Sequence, residues 1–352
     1  MTKKTDQFRR KAAGFATAAF LAAATGAPTM AQPGAEPVRN ILTWPMPETV
    51  SPEGRAMAAA MAAAPMPNPM PPVEVQRQMI GGMQDAMGAQ LAARHGVRVE
   101  ASTIAGVPVR IVYPKGVAAL GKGPMLLNLH GGGFQLDSGS LTETIPIAAL
   151  TGLPVVAVLY RLAPEHPYPA ALDDALAVYQ ALEKDRKAAQ IAVYGTSAGA
   201  VLSGELLAKL TSLKKPMPAA LGFFSGSADM SKSGDSESWA PLPGGEKTLA
   251  GSISGYIGKT DPADPILSPI HGDLSGFPPT LLVSSTRDSL LSGTSIFGRA
   301  LIEQGVDARL VVFDGLPHAF WAYMDIPESA QANALMAKFL KDRLDGAKHP
   351  PR

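Results

Sequence analysis

Ile191-Ala192-Val193-Tyr194-Gly195-Thr196-Ser197-Ala198-Gly199 is the stretch on which the fold reading turns. Four residues of strand character run into Gly-Thr-Ser-Ala-Gly, and a helix-compatible run, 200–210, follows at once. This is G-x-S-x-G in a strand, turn and helix context. A serine on so sharp a turn needs small neighbours, because a side chain at either glycine would collide with adjacent elements. The helix start also brings backbone N–H groups to the serine oxygen. Alone, the five-residue pattern has weak specificity; its place after an apolar strand makes Ser197 a candidate nucleophile.

Outward from this stretch the chain alternates short β-rich runs with helical ones. The strand-like runs are 107–113, 125–129, 155–160, 191–194, 219–224, 280–284 and 309–313, with helical segments such as 169–182 and 200–210 between them. Runs 125–129 and 155–159 are almost continuously apolar, as strands covered on both faces are. The pattern predicts an α/β fold with a mostly parallel central sheet flanked by helices. In such sheets the ligand site lies beyond the carboxyl ends of the strands, so functional residues are expected just after them. Segment 227–262, rich in Ser and Gly and carrying Trp239, reads as an insertion on the site side. No internal repeat is visible.

Directly after run 125–129 stands His130-Gly131-Gly132-Gly133-Phe134. Consecutive glycines let the main chain approach a ligand and aim N–H donors at it; in acyl transfer such donors stabilise the tetrahedral oxyanion. A phosphate-cradling loop is disfavoured, since neither Gly-Lys-Ser/Thr nor G-x-G-x-x-G is present. A serine nucleophile also needs a base, and the chain has six histidines: His95, His130, His166, His271, His318 and His349. His95 falls in a helical region, His130 in the glycine loop, His166 in a Pro-rich turn and His349 in the tail. His271 precedes a strand, which is the wrong end. His318 follows the last strand run through the turn 314–317 and is the preferred base. Asp288 follows run 280–284 and gives the chain order Ser, Asp, His. Asp314 is the competing acid, disfavoured because it shares a short turn with His318.

The first thirty residues have a separate logic. A basic start (Lys3, Lys4, Arg9, Arg10, Lys11) leads into an Ala-rich apolar stretch, 12–27, and then small residues at Thr29 and Ala31. That order predicts a cleavable export signal over 1–31, with a periplasmic or secreted destination. The Arg9-Arg10 pair leaves both the general and the twin-arginine routes open. The apolar stretch is short for a membrane span, and a chain without cysteine carries neither a disulfide nor a lipid-modified cysteine, so no stable membrane insertion is expected. Beyond it, Pro65, Pro67, Pro69, Pro71 and Pro72 separate two segments of helical character. One carries Met57 and Met61, the other Met79, Met83 and Met87, each set forming a stripe on one helical face. Such stripes suit packing against the body or, alternatively, a lid over a lipophilic pocket.

With 46% hydrophobic and 17% charged residues, the 352-residue chain can bury a sizeable core. The net charge of +1, without a Lys/Arg stripe, disfavours nucleic acid as a partner. No metal or organic cofactor is expected, since neither His-Glu-x-x-His nor zinc-spaced ligands occur.

Taken together, these motifs make the chain similar to the bacterial hormone-sensitive-lipase family of α/β-hydrolases. The resemblance spans about 97–340 and rests on the glycine loop, the stretch from Tyr160 to Asp174 (Tyr-Arg-Leu-Ala-Pro-Glu-His-Pro-Tyr-Pro-Ala-Ala-Leu-Asp-Asp), Gly195 to Gly199, the strand before Asp288, and Leu316-Pro317-His318-Ala319-Phe320. Thr196 before the nucleophile is similar to the Gly-Thr-Ser-Ala-Gly branch, and Ala200 replaces a common glycine. Ser289-Leu290-Leu291-Ser292-Gly293 is less acidic than the family's usual pattern. The expected division is then the signal at 1–31, a helical cap over 32–96, which the resemblance implies, and a catalytic domain over 97–352. The resemblance further implies an oxyanion hole from the N–H groups of Gly131, Gly132 and Ala198, and frequent assembly as a homodimer. The Tyr160 to Asp174 stretch is expected to be mainly structural.

The expected activity is hydrolysis of small-molecule esters with short- to medium-chain acyl groups through Ser197, His318 and Asp288. A lactonase, a carbohydrate deacetylase and a non-catalytic binding homologue are the alternatives. Phe134, Phe223, Phe224 and Trp321 favour an apolar acyl group, with Phe134, Phe223 and Trp321 as candidate substrate-binding residues, although aromatics of this kind are as often core as pocket.

Overall fold

The apolar runs pair into one twisted layer. The computed structural model describes residues 44–63, 70–240 and 248–346. Its eight strands are β1 (Arg98–Ile104), β2 (Val107–Tyr113), β3 (Met125–Leu129), β4 (Val155–Val158), β5 (Ile191–Thr196), β6 (Ala220–Phe224), β7 (Thr280–Arg287) and β8 (Ala308–Pro317). They lie in the order β1-β2-β4-β3-β5-β6-β7-β8. β2 runs antiparallel to both β1 and β4, and the neighbours from β4 through β8 are parallel. The carboxyl ends of β3, β5, β6, β7 and β8 therefore share one edge of the sheet.

The helices are α1 (Pro52–Ala63), α2 (Val73–His95), α3 (Ile145–Thr151), α4 (Ala170–Glu183), α5 (Ala198–Ser212), α6 (Asp235–Trp239), α7 (Leu249–Ser252), α8 (Ser254–Ile257), α9 (Leu291–Glu303) and α10 (Pro327–Gly346). Side chains alternate across β3, so Met125, Leu127 and Leu129 face a cluster holding Leu172 and Val178 of α4 with Val201 and Leu206 of α5. Leu126 faces the opposite cluster with Ile145 of α3 and Met336 and Leu340 of α10. Burial on both faces explains why these strands read as unbroken apolar runs.

Two differences from the sequence reading concern strands. β1 is a partly exposed edge strand of mixed polarity, joined to β2 by Ala105 and Gly106 at φ 51° and 81°. Residues 314–317 are a continuation of β8 and not a turn: the pairing shifts between Ser285 and Arg287, which brings Arg287 opposite Pro317. Asp288 and His318 consequently emerge side by side from adjacent strands.

The N-terminal helices also differ in part. On α1, Met61 is buried and Met57 packs beside it. On α2 the packing face runs through Ile80, Gln84 and Gly88, one residue round from the methionines. Met79 is 46% exposed, and Met83 and Met87 are half-buried. Gly88 is required there because a Cβ would lie 2.6 Å from Leu141 Cδ1. In segment 227–262, Leu249, Ile253, Tyr256 and Ile257 join the α4/α5-side core, while 241–247 lie outside the described residues. The signal segment 1–31, Pro65, Pro67, Pro69 and His349 also lie outside them. Among the described residues no helix is long and apolar enough to cross a membrane.

Candidate active site

β5 ends at Thr196 and α5 begins at Ala198, leaving Ser197 alone on the turn with φ 58° and ψ −124°. That positive φ in a non-glycine residue costs on the order of 1–3 kcal/mol, and the packing around it must hold it there. The Ser197 N–H donates to Phe224 O at 2.9 Å. A Cβ on Gly195 would sit 2.3 Å from Gly199 O, and one on Gly199 only 1.8 Å from Leu129 O. Both glycines are thus required by close backbone approach, as the motif predicts. Ala200 is accommodated because its neighbour is Gly226, where an added Cβ would meet Ala200 Cβ at 2.7 Å.

His318 follows β8 immediately, and its Nδ1 lies 2.7 Å from Asp288 Oδ1. The imidazole is 21% exposed, whereas Asp288 is fully buried. Its Oδ1 also accepts the Leu290 N–H at 2.9 Å. Its Oδ2 accepts the hydroxyls of Ser284 at 2.6 Å and of Ser225. Burial alone would raise this carboxyl; the neighbouring His318 and the serine hydroxyls overcome it and hold Asp288 below the usual carboxylate range. The competing acid, Asp314, is elsewhere: it accepts the hydroxyls of Thr286 and Thr49 on the surface. His271 lies against Asp229 and Ser231, at 3.3 and 3.1 Å. Sequence reasoning did not find Ser225 and Ser284; the signal available was a serine ending an apolar strand run at each of the two positions.

The glycine loop requires one correction. Gly131 was expected to offer its N–H to an oxyanion, but that N–H donates to Glu143 Oε1 at 3.2 Å. Among the described residues, the N–H groups of Gly132, Gly133 and Ala198 have no hydrogen-bond acceptor. The free donors are therefore Gly132, Gly133 and Ala198. Gly132 and Gly133 have φ 118° and 61°, and a Cβ on Gly132 would lie 2.1 Å from Leu136 O. The loop is braced from behind. His130 is buried and stacks on Tyr160 with centroids 4.2 Å apart, and the Tyr160 hydroxyl donates to His130 O at 2.7 Å. Arg161, next in the stretch, pairs with Asp174 at 2.9 Å.

The three aromatics expected to contact substrate are also corrected. Phe134 and Phe223 are fully buried and Trp321 is 4% exposed. Phe134 stacks on Tyr256 with centroids 3.5 Å apart, Phe223 packs on Phe297 at 4.8 Å, and Trp321 donates from Nε1 to Thr196 Oγ1 at 3.3 Å. Phe134 and Phe223 are core, with no free surface for an acyl chain, and Trp321 keeps only a small exposed edge.

Against this geometry, three comparisons agree. A family model for the alpha/beta hydrolase fold matches residues 126–322, over half of the chain. An acetyl-hydrolase of Streptomyces hygroscopicus is 32% identical over 231 residues, covering 62% of this chain and 76% of the relative. The crystal structure of esterase E25 superposes with a TM-score of 0.73 at 34% identity, covering 85% of this chain and 96% of that one. An esterase from the bacterial hormone-sensitive lipase family superposes with a TM-score of 0.70 at 29% identity, covering 80% and 94%. The turn at Ser197, the paired Asp288 and His318, the glycine loop and these likenesses all lead to one assignment: the chain belongs to the hormone-sensitive-lipase-like family of α/β-hydrolases.

Proposed function

We propose that this protein is a serine esterase that cleaves carboxylic esters by two-step acyl transfer. The observation that carries the reading is the 2.7 Å contact between His318 Nδ1 and the buried Asp288. It fixes the imidazole so that the other ring nitrogen is the one available as a base. In the first step Ser197 Oγ attacks the ester carbonyl carbon, and its proton passes to His318. The carbonyl oxygen, now anionic, takes the N–H groups of Gly132, Gly133 and Ala198. Collapse expels the alcohol, which leaves with the proton from His318, and Ser197 is acylated. Water activated by His318 then releases the acid. Asp288 orients the ring and stabilises its charged form without itself taking the proton.

Short- to medium-chain acyl esters are the proposed substrates, supported by the acetyl-hydrolase and esterase relatives. Ser197→Ala is expected to abolish hydrolysis of p-nitrophenyl acetate and butyrate with the fold intact; retained turnover would refute the reading. An acyl-length series run beside lactones and acetylated sugars then assigns the preferred acyl group.

The same proposal treats the N-terminal helices as a cap on the catalytic domain 97–352. Its support is that α2 meets the segment around the glycine loop: Arg77 Nε donates to Gln135 O at 2.8 Å and Gln84 Nε2 to Ser138 O at 2.7 Å. Export to the periplasm or medium is proposed from the basic, apolar and small-residue order of 1–31. Mass spectrometry of the mature N-terminus reads the cleavage point. A homodimer is the proposed assembly, by resemblance, and light scattering reads it.

A further inference from the structure

Behind the glycine loop lies a second carboxyl group that the mechanism above does not use. Glu143 is 12 residues beyond Gly131 in sequence and its side chain returns to it, Oε1 accepting the Gly131 N–H at 3.2 Å. Its Oε2 accepts Asn128 Nδ2 at 3.3 Å. The Thr196 side chain, one residue before Ser197, lies near the carboxyl and favours its charged form, though less than burial disfavours it. The main chain of Glu143 is fixed as well: the N–H donates to Gly139 O at 2.9 Å and the carbonyl accepts the Tyr194 hydroxyl at 3.3 Å. Through its carboxyl and its carbonyl, Glu143 thus links the end of β3, the glycine loop and β5.

The space around it is closed. An added Cβ on Gly139 would lie 1.8 Å from Glu143 Oε1, and one on Gly131 would lie 3.0 Å from Thr196 O. Gly131 is therefore pressed onto the turn that carries Ser197, and its N–H is turned inward to Glu143. With the Gly131 N–H taken inward, the N–H groups of Gly132 and Gly133, at φ 118° and 61°, are the ones in the loop left without an acceptor among the described residues.

We infer that Glu143 is a positioning residue for the oxyanion hole, clamping the glycine loop against β3 and β5 by accepting the Gly131 N–H and the Asn128 amide on its carboxyl while its carbonyl takes the Tyr194 hydroxyl. The inference rests on the reading of Gly132, Gly133 and Ala198 as the oxyanion donors. Burial pushes the Glu143 carboxyl up to about 8, so near neutral pH it is chiefly the uncharged acid. An uncharged clamp adds little net field at the place where negative charge develops, whereas an ionised carboxylate there would oppose the oxyanion.

The test uses Glu143→Leu, which keeps the approximate volume and removes the hydrogen bonds, and Glu143→Gln, which keeps an acceptor for the Gly131 N–H. Leucine leaves the Gly131 N–H and the Asn128 amide without their acceptor, so a lower melting temperature is expected in either case; should the leucine variant not fold, the more flexible Glu143→Met serves in its place. Three quantities are read in each: kcat, KM for a p-nitrophenyl ester, and Ki for a trifluoromethyl ketone, which adds to Ser197 as a tetrahedral analogue. The expected result for the leucine variant is a fall of about 10-fold or more in kcat with KM little changed. Its Ki should rise by the same factor, and the glutamine variant should recover most of both. A purely structural role would lower the melting temperature without moving kcat and Ki together. Unchanged kcat and Ki in the folded leucine variant would overturn the inference. Retained turnover in Ser197→Ala would instead overturn the esterase reading on which it rests, so the two failures are distinct.

Discussion

Asp288 and Glu143 are both cut off from water and both within reach of the Ser197 machinery, yet they are held in opposite states. Asp288 gathers the Leu290 N–H, two serine hydroxyls and His318 around its two oxygens, and these partners keep it below the usual carboxylate range against the cost of burial. The Glu143 carboxyl accepts from one backbone N–H and one amide, with no cationic partner among the described residues, and burial raises it to about 8. Burial sets the same penalty on the charged form of each; the number of donors and the presence of the imidazole decide which one stays charged. The charged group orients the base, and the uncharged one holds the loop that will meet the oxyanion.

The comparison can be broken most severely at Asp288. Asp288→Asn removes the charge while keeping the shape, and kcat should fall by roughly 10⁴-fold with circular dichroism unchanged. A loss of that size in Asp314→Asn instead would mean that the wrong carboxylate has been assigned. The next effect concerns the donors. Ser225→Ala and Ser284→Ala each take one hydroxyl from Oδ2, and each should destabilise the protein by about 1.5–3 kcal/mol near neutral pH, read by urea unfolding. Removing both should also weaken the hold on the ionised form, so that the acid limb of the pH–rate profile moves upward.

The opposite ionisation states predict opposite pH dependences of stability. The lowered Asp288 contributes stability above its unfolded value of 3.8, and this is lost as pH falls through the depressed folded value. The raised Glu143, and with it Glu205, a buried carboxyl on α5 that accepts the Tyr256 hydroxyl at 2.6 Å, contribute stability that is complete below 4.5 and lost as pH rises toward about 8. For both, burial is the leading cause. Glu143→Gln should flatten the decline in melting temperature between these limits, leaving the part due to Glu205; an unaltered slope would show that Glu143 is not protonated there. Smallest of all is Asp314→Asn, where activity should stay within about twofold, since a surface substitution of this kind changes stability by roughly 0.5 kcal/mol or less.

Much of this arrangement is legible in the sequence, for identifiable reasons. Ser197 stands out because backbone crowding dictates Gly195 and Gly199. His318 and Asp288 can be selected because parallel strands place their carboxyl ends on one edge, and few titratable residues follow a strand directly. The oxyanion donors are harder. Which glycine N–H faces outward depends on φ 118° at Gly132 and on an acceptor 12 residues away, and neither is written in a run of three glycines. The donors on Asp288 are similarly hidden, because Ser225 and Ser284 are brought to it by strand neighbours. Phe134, Phe223 and Trp321 could not be placed because an aromatic beside a motif has the same sequence signature in a core as in a pocket. β1 escaped notice since a partly exposed edge strand lacks the apolar run that marked the others.

The central claim is that Ser197 is the residue acylated during turnover. Treatment with a fluorophosphonate followed by peptide mapping tests it most directly. The account predicts a single adduct on Ser197 in the native protein, slow labelling in Asp288→Asn and none in Ser197→Ala. An adduct on another serine, or labelling that persists in Ser197→Ala, would contradict it.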